Sequence, residues 1–230
     1  MNMADGAADV TITDPPYSEG TQTRSRAASS LADYRESTAT SVRVREFGFE
    51  HFTPDDVARL LPELARVTKR WILVFSDDIL IPYYQQPPQG LEYVRMCIYR
   101  KTNPPPQFSG DRPGLACEFI HVYHKPGKKR WNGGGRSNVF EHTSPMNRDG
   151  KTPRLHTAQK PVSLMAELVT LFSDEGETVA DFFAGSCTTG VACLDTGRNF
   201  LGCELDPDYY TAAQKRLEAA AQRQRLFDHA

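Results

Sequence analysis

The sequence predicts an α/β fold built on a mainly parallel sheet. Three observations carry the prediction. Short apolar runs alternate with amphipathic stretches through the last third of the chain. Trp71-Ile72-Leu73-Val74-Phe75 is a continuous apolar run of the kind buried on both faces of a parallel sheet. Two of the runs end in turns made of small residues or prolines, the punctuation expected at strand tips.

The elements follow in order. Val10-Thr11-Ile12-Thr13 is β-branched and reads as a strand that Pro15 and Pro16 terminate. Residues 18–45 are rich in Ser, Thr, Ala and Arg, with little periodicity, and read as a loop. Thr53-Pro54-Asp55-Asp56 starts a helix: Thr53 caps, Pro54 suits the first helical position, and the acids face the positive end of the dipole. Val57, Leu60, Leu61, Leu64 and Ala65 form its apolar stripe, and Pro62 is expected to kink or interrupt it. Further strands are expected at 93–99 and 118–123. Helix 161–172, strand 178–183, a helix from Thr188 towards Gly197, strand 200–204 and a long helix from Asp206-Pro207 complete the chain.

The chain has 230 residues, 39% hydrophobic and 24% charged, with a net charge of -2. That length buries a core without disulfides or a structural metal. No apolar run is long enough to cross a bilayer, and the start lacks the basic and apolar regions of a secretory signal. Cys97, Cys117, Cys187, Cys193 and Cys203 are scattered with no CxxC spacing, so neither a zinc site nor a disulfide framework is implied and a cytoplasmic setting is expected.

Two places carry chemistry. At Asp14-Pro15-Pro16-Tyr17 the prolines remove two N–H donors, which leaves a carboxylate beside carbonyl acceptors. An uncharged NH2 group is the natural guest, and a nearby aromatic ring can stack on a planar base. A stiff turn after a strand is the plainer alternative. At the second place a strand ends in Asp181, a small-residue turn (Ala184, Gly185, Ser186) follows, and a helix starts at Thr188 with unpaired N–H groups. Glu204 stands at the tip of the next strand, where an acid can hold ribose hydroxyls. That arrangement describes a nucleoside cofactor, although the turn is neither GxGxxG nor a P-loop.

Taken together, the chain resembles the amino-directed DNA methyltransferases, which transfer a methyl group from S-adenosylmethionine to an exocyclic base amine. Thr13-Asp14-Pro15-Pro16-Tyr17-Ser18 is similar to their catalytic motif, and the stretch from Asp181 to Gly190 to their cofactor motif. His156-Thr157-Ala158-Gln159-Lys160-Pro161 resembles the segment leading into the cofactor half, and Gly202-Cys203-Glu204-Leu205-Asp206 the ribose-binding strand end. Tyr209, Tyr210, Ala213 and Arg216 fit the helix that usually follows. The catalytic motif precedes the cofactor motif, the permuted order of the family's beta class. The resemblance implies a Rossmann-like methyltransferase fold: a mainly parallel twisted sheet, helices on both faces and an antiparallel hairpin. It implies one domain over 1–230, with a catalytic half at 1–124, a basic loop at 125–155 and a cofactor half at 156–230.

The resemblance also assigns roles. Asp14 and the Pro15 carbonyl would accept the amine hydrogens, Pro16 would stiffen the turn, and Tyr17 would stack on a base flipped out of the duplex. Asp181, Phe183, Ala184, Gly185, Ser186, Thr188 and Thr189 would line S-adenosylmethionine and Glu204 would hold its ribose. Lys160 would approach the methionine carboxylate, with a surface lysine as the alternative. No metal is called for. DNA is the partner, contacted through Lys128, Lys129, Arg130, Trp131 and Arg136 in the basic loop and through Arg24 and Arg26 beside Tyr17, although a solvated loop is the alternative for 125–155. Homodimers are common in this family, and a restriction endonuclease partner would leave no trace in the sequence. Asp at position 14 favours adenine N6 over cytosine N4. The family usually has Pro where Phe182 stands and Gly where Cys187 stands, and its members usually carry another strand before the catalytic one, where only residues 1–9 precede it here; Cys187 and this short start make a non-catalytic nucleic-acid-binding relative a third reading. Cofactor binding is expected to survive Cys187 if the backbone there has negative φ.

Overall fold

The computed structural model describes residues 3–21, 51–104, 106–107, 110–145 and 159–227. Seven strands form one sheet: β1 Ala8–Thr13, β2 Thr68–Ser76, β3 Glu92–Lys101, β4 Cys117–His124, β5 Val139–His142, β6 Thr178–Asp181 and β7 Asn199–Gly202. Their spatial order is β5-β3-β4-β2-β1-β6-β7. β1 pairs in parallel with both β2 and β6, β6 with β7, and β3 with β5. β4 alone runs against its neighbours, antiparallel to β2 and β3. The expected antiparallel hairpin is therefore β3–β4, set inside the sheet. One continuous sheet thus carries both the Asp14-Pro15-Pro16-Tyr17 motif and the turn after Asp181.

Helices cover both faces. α1 (Pro54–Val67) and the short α2 (Ile81–Tyr84) lie on one face with Ile72, Val74, Tyr123 and Phe182. α3 (Val162–Phe172) and α4 (Thr188–Asp195) lie on the other with Ile12, Leu73, Phe75 and Ile120. Adjacent residues of β2 alternate between these two cores, as the two-residue strand period requires. α5 (Pro207–Phe227) follows β7. α1 starts as expected, with Thr53 and Asp56 forming a reciprocal capping box. Pro62 does not interrupt it. Pro62 is exposed, so water can reach the Ala58 carbonyl that the missing N–H leaves over.

The order of connections decides where a ligand can bind. From β1 the chain crosses to β2 on one side, whereas from β6 it crosses to β7 on the other. The crevice at the carboxyl ends of β1 and β6 is therefore a topological switch point, the usual ligand site in open α/β sheets. Asp14 follows the last residue of β1 and Asp181 ends β6. The same edge receives the end of β3 (Lys101), the end of β5 (His142) and, because β4 is reversed, the start of β4 at Cys117.

A buried histidine gives the fold an acid sensitivity. His121 in β4 is fully buried, stacks on Tyr84 with ring centroids 4.8 Å apart, and lies 2.8 Å from Ser76 Oγ and 3.2 Å from the Tyr93 hydroxyl. Burial holds its pKa down at about 4, from 6.5. The neutral ring thus contributes stability fully above pH 6.5, and this is lost as the unfolded chain takes up a proton that the folded one refuses, down to about pH 4. The loss should approach about 3 kcal/mol. Urea unfolding at pH 7 and pH 5 should show it, and His121→Gln should flatten that slope.

Candidate active site

The two expected sites meet. Thr13, the last residue of β1, donates its hydroxyl to Asp181 Oδ1 at 2.8 Å, and its Oγ1 accepts the Phe182 N–H at 3.2 Å. A proline at 182 would have no N–H for this bond. Asp181 also accepts from the Thr189 hydroxyl at 2.6 Å and the Phe183 N–H at 3.1 Å. Burial nonetheless raises its pKa to about 6, against the pull of these donors.

The turn after β6 is shaped by its neighbours. The Ala184 N–H bonds the Cys203 carbonyl at 2.9 Å, which extends the β6–β7 pairing beyond the strands. Gly185, at φ +50°, gives its N–H to Glu204 Oε2 at 2.7 Å, and Glu204 Oε1 accepts from the Asp206 N–H at 2.9 Å. Ser186 and Thr188 are buried, and both are held by Arg216 of α5, which reaches the Ser186 carbonyl at 2.8 Å and both hydroxyls at 3.1 Å. The condition of negative φ at Cys187 is not met: its φ is +60°. The residue before α4 turns left-handed, where glycine is unstrained and any other residue costs about 1–2 kcal/mol. Its side chain is buried, against Gly190. Beside this turn a groove of about 260 Å³ is lined by Phe52, Leu60, Leu64, Val67, Phe182 and Phe183, with Asp56, Arg59 and Glu63 also on its wall.

On the acceptor side, Asp14 lies in a cluster of four charges. Lys160, just before α3, bonds Asp14 Oδ2, lies 3.0 Å from Glu118 Oε2 and donates to the Tyr17 hydroxyl at 3.3 Å. Tyr17 in turn donates to Glu118 Oε2 at 2.9 Å, and Lys101 lies 2.8 Å from Glu118 Oε1. The Lys160 ammonium sits 5.3 Å from the Tyr17 ring centroid and 4.9 Å from that of Phe75. Burial works against the charge of Lys160, but Asp14 and Glu118 more than offset it and its pKa is raised. Burial likewise works against Glu118, which Lys160 and Lys101 hold well below the usual carboxylate range. Burial, then the charges of Asp14 and Glu118, push the Tyr17 phenol far up, so it stays a donor. Lys160 is therefore not a surface lysine: it is buried, with its ammonium on Asp14. Pro15 is buried and Pro16 partly so. Asp77, beyond β2, fixes the exit of the motif by accepting from both the N–H and the hydroxyl of Ser18 and from the Leu80 N–H at 3.0 Å.

The basic stretch is not one loop at the site. β5 divides it, and because β4 runs backwards, Lys125 and the residues after it leave from the amino edge, opposite Asp14. The Lys125 N–H bonds the Arg70 carbonyl near the start of β2. Lys129 pairs with Glu92, Arg130 with Asp174 and Arg136 with Glu167; Lys128 is exposed on the same edge. Trp131 packs edge-on against Phe172, centroids 4.8 Å apart, and donates to the Gly134 carbonyl, so it plugs this loop. Lys128 to Trp131 thus lie away from the crevice beside Asp14, whereas Arg136 shares Glu167 with His142, at the end of β5. Arg24, Arg26 and His156 lie outside the described residues. Sequence reasoning does not reach Glu118, Lys101, Asp77 or the turn-holding role of Arg216; the one signal is a lone acid at the start of β4, directly before Phe119 and Ile120.

A strand-tip acceptor motif beside a small-residue turn and a strand-end acid, on a sheet with one reversed inner strand, defines a Rossmann-like methyltransferase fold. Residues 8–215 match the DNA methylase (N6_N4_Mtase) family, and the chain belongs to it. It is 30% identical over 142 residues to the type II methyltransferase M2.DpnII of Streptococcus pneumoniae, a match covering 57% of this chain and 53% of that one. It spans about half the length, or less, of the curated relatives that it matches here. Among solved structures it is similar to the M1.HpyAVI–SAM complex, with 26% identity, a TM-score of 0.62, and 91% of this chain and 89% of that one covered. The PvuII DNA methyltransferase, described as cytosine-N4-specific, shares the fold at 12% identity and a TM-score of 0.61, over 96% of this chain and 87% of that one.

Proposed function

We propose that this protein is an S-adenosylmethionine-dependent DNA methyltransferase that acts on the exocyclic N6 amine of adenine in a flipped-out base. The observation that carries the reading is the junction of the two strand tips: Thr13, one residue before Asp14, is hydrogen-bonded to Asp181 of the cofactor turn. Amine acceptor and donor pocket then share one crevice.

The donor set fits the cofactor. Each Glu204 oxygen accepts one backbone N–H and retains a second acceptor site, enough for ribose hydroxyls. The buried Asp181 carboxylate favours a cationic neighbour, and the groove beside Phe183 offers a flat base an apolar wall. Phe183, Ala184, Gly185, Ser186, Thr188 and Thr189 complete the lining. When bound, S-adenosylmethionine supplies a methyl group activated by its sulfonium. The chain's own residues place the acceptor. Asp14 and the Pro15 carbonyl accept hydrogen bonds from the two amine N–H groups and draw the nitrogen towards tetrahedral geometry, which frees its lone pair; one proton leaves the nitrogen as the methyl arrives. Placement is the larger part of such catalysis. Tyr17 stacks on the extruded base, whose release from the duplex costs a few kcal/mol.

The duplex is proposed to lie along the carboxyl edge. Arg100, near the carboxyl end of β3, and Arg112, between β3 and β4, are in exposed pairs with Glu141 and Asp111. Such pairs are weak enough to exchange for phosphates. Asp14 supports adenine, and cytosine N4 is the rival acceptor. Digested DNA from cells expressing the protein, separated by liquid chromatography, decides between them: N6-methyladenine is expected, N4-methylcytosine would replace the adenine assignment, and neither would sink the activity. Glu204→Ala is expected to weaken S-adenosylmethionine binding by about tenfold or more, since it removes a charged acceptor and leaves the Gly185 N–H without its partner. Calorimetry measures this, and unchanged affinity would remove Glu204 from the cofactor site.

A further inference from the structure

The acceptor cluster contains two carboxylates, Asp14 and Glu118, and two ammoniums, Lys160 and Lys101. Their side chains are 23%, 12%, 7% and 17% exposed. Burying such ions is costly, and well-packed apolar residues of the same volume are often at least as stabilising. Stability alone therefore gives little reason for the arrangement, whereas its geometry gives one. Every N–H of the Lys160 ammonium has an acceptor: Asp14, Glu118 and the Tyr17 hydroxyl. Glu118 is the hub. One oxygen meets Lys101, and the other meets both Lys160 and the Tyr17 hydroxyl. It can do so because β4 is reversed, which brings its first residues to the carboxyl edge.

We propose that Glu118 is a positioning residue for methyl transfer, a role that rests on the function proposed above. From the start of β4 it holds the Lys160 ammonium against Asp14 and fixes the Tyr17 hydroxyl, so that the acceptor carboxylate and the stacking ring are set before a base arrives. It touches neither cofactor nor reacting atoms. Its charge also keeps the proton on Lys160, without which Asp14 loses its partner.

The test is Glu118→Gln, which keeps an acceptor for Tyr17 and removes the charge. Transfer of labelled methyl from S-adenosylmethionine to methylation-free genomic DNA is measured. The variant should lose about tenfold or more in kcat, the scale of a small misplacement, with KM for S-adenosylmethionine changed less than about twofold. A wild-type kcat would overturn the proposal. So would a loss confined to cofactor KM or to melting temperature. Lys101→Gln is the second variant, since it releases the other Glu118 oxygen and leaves the contact between Lys160 and Asp14 in place. A loss of about two- to fivefold in kcat supports the role, and an unchanged kcat counts against it even if the Glu118→Gln protein does not fold. A wild type that methylates no DNA would sink the functional reading itself, whereas an active wild type with an indifferent Glu118 sinks only this proposal.

Discussion

Asp14→Ala is expected to lower kcat by about a hundredfold or more while S-adenosylmethionine binding changes less than about threefold. The asymmetry follows from position. Asp14 stands one residue beyond β1 and its charged partner is Lys160, whereas the cofactor turn is held by Glu204, Arg216 and Thr189. The link between the two halves is the Thr13 hydroxyl, which the substitution leaves in place. Lys160 keeps Glu118 as a partner, so the variant should fold. Labelled-methyl transfer and calorimetry on the same preparation separate the two effects. Turnover within a few-fold of the wild type would remove Asp14 from the reaction, and a parallel loss of cofactor affinity would mean that the two tips are one site energetically as well as geometrically.

Lys160→Met should have the largest effect on stability, a loss of about 3–5 kcal/mol at pH 8, because it leaves two largely buried carboxylates facing each other without their shared cation. The pH dependence should also change sign. In the wild type, Glu118 has a depressed pKa, so its contribution is present above the ordinary carboxylate value near 4.5 and is lost as pH falls through the folded value. Without Lys160, burial prevails, the folded cluster takes up a proton more readily than the unfolded chain, and stability recovers as pH falls from 8 towards 5. Denaturant unfolding across that range tests this. A variant that unfolds like the wild type at every pH would mean that the cation contributes nothing net to the fold.

Much of the fold is legible because its signals are local. β1 announces itself by β-branched residues stopped by two prolines, α1 by Thr53, Pro54 and Asp56, and α3 by an apolar stripe. β5 escapes a sequence reading because it is four residues long at the sheet's edge, with only Phe140 fully buried. α2 escapes it because a single turn has no periodicity to read. The motif residues at the strand tips are equally legible, but their partners are not. Lys160 and Asp14 are 146 positions apart, and nothing near either one states that they touch. The direction of β4 is also not written locally, although it decides both that Glu118 reaches the site and that Lys128 to Trp131 do not. Cys187 shows the same limit at short range: its residue type argues for negative φ, and the demand of the turn into α4 overrides it.

The reversal of β4 puts the turn at 125–128 on the rim opposite the two strand-tip motifs. There Gly127 has φ +133° and nothing within 4 Å of where a side chain would begin, and Pro126, Gly127 and Lys128 are all exposed. A cargo grafted there, such as a fluorophore or a sequence-reading module, would hang from the side of the sheet opposite Asp14, with the width of the sheet between it and the tips of β1 and β6.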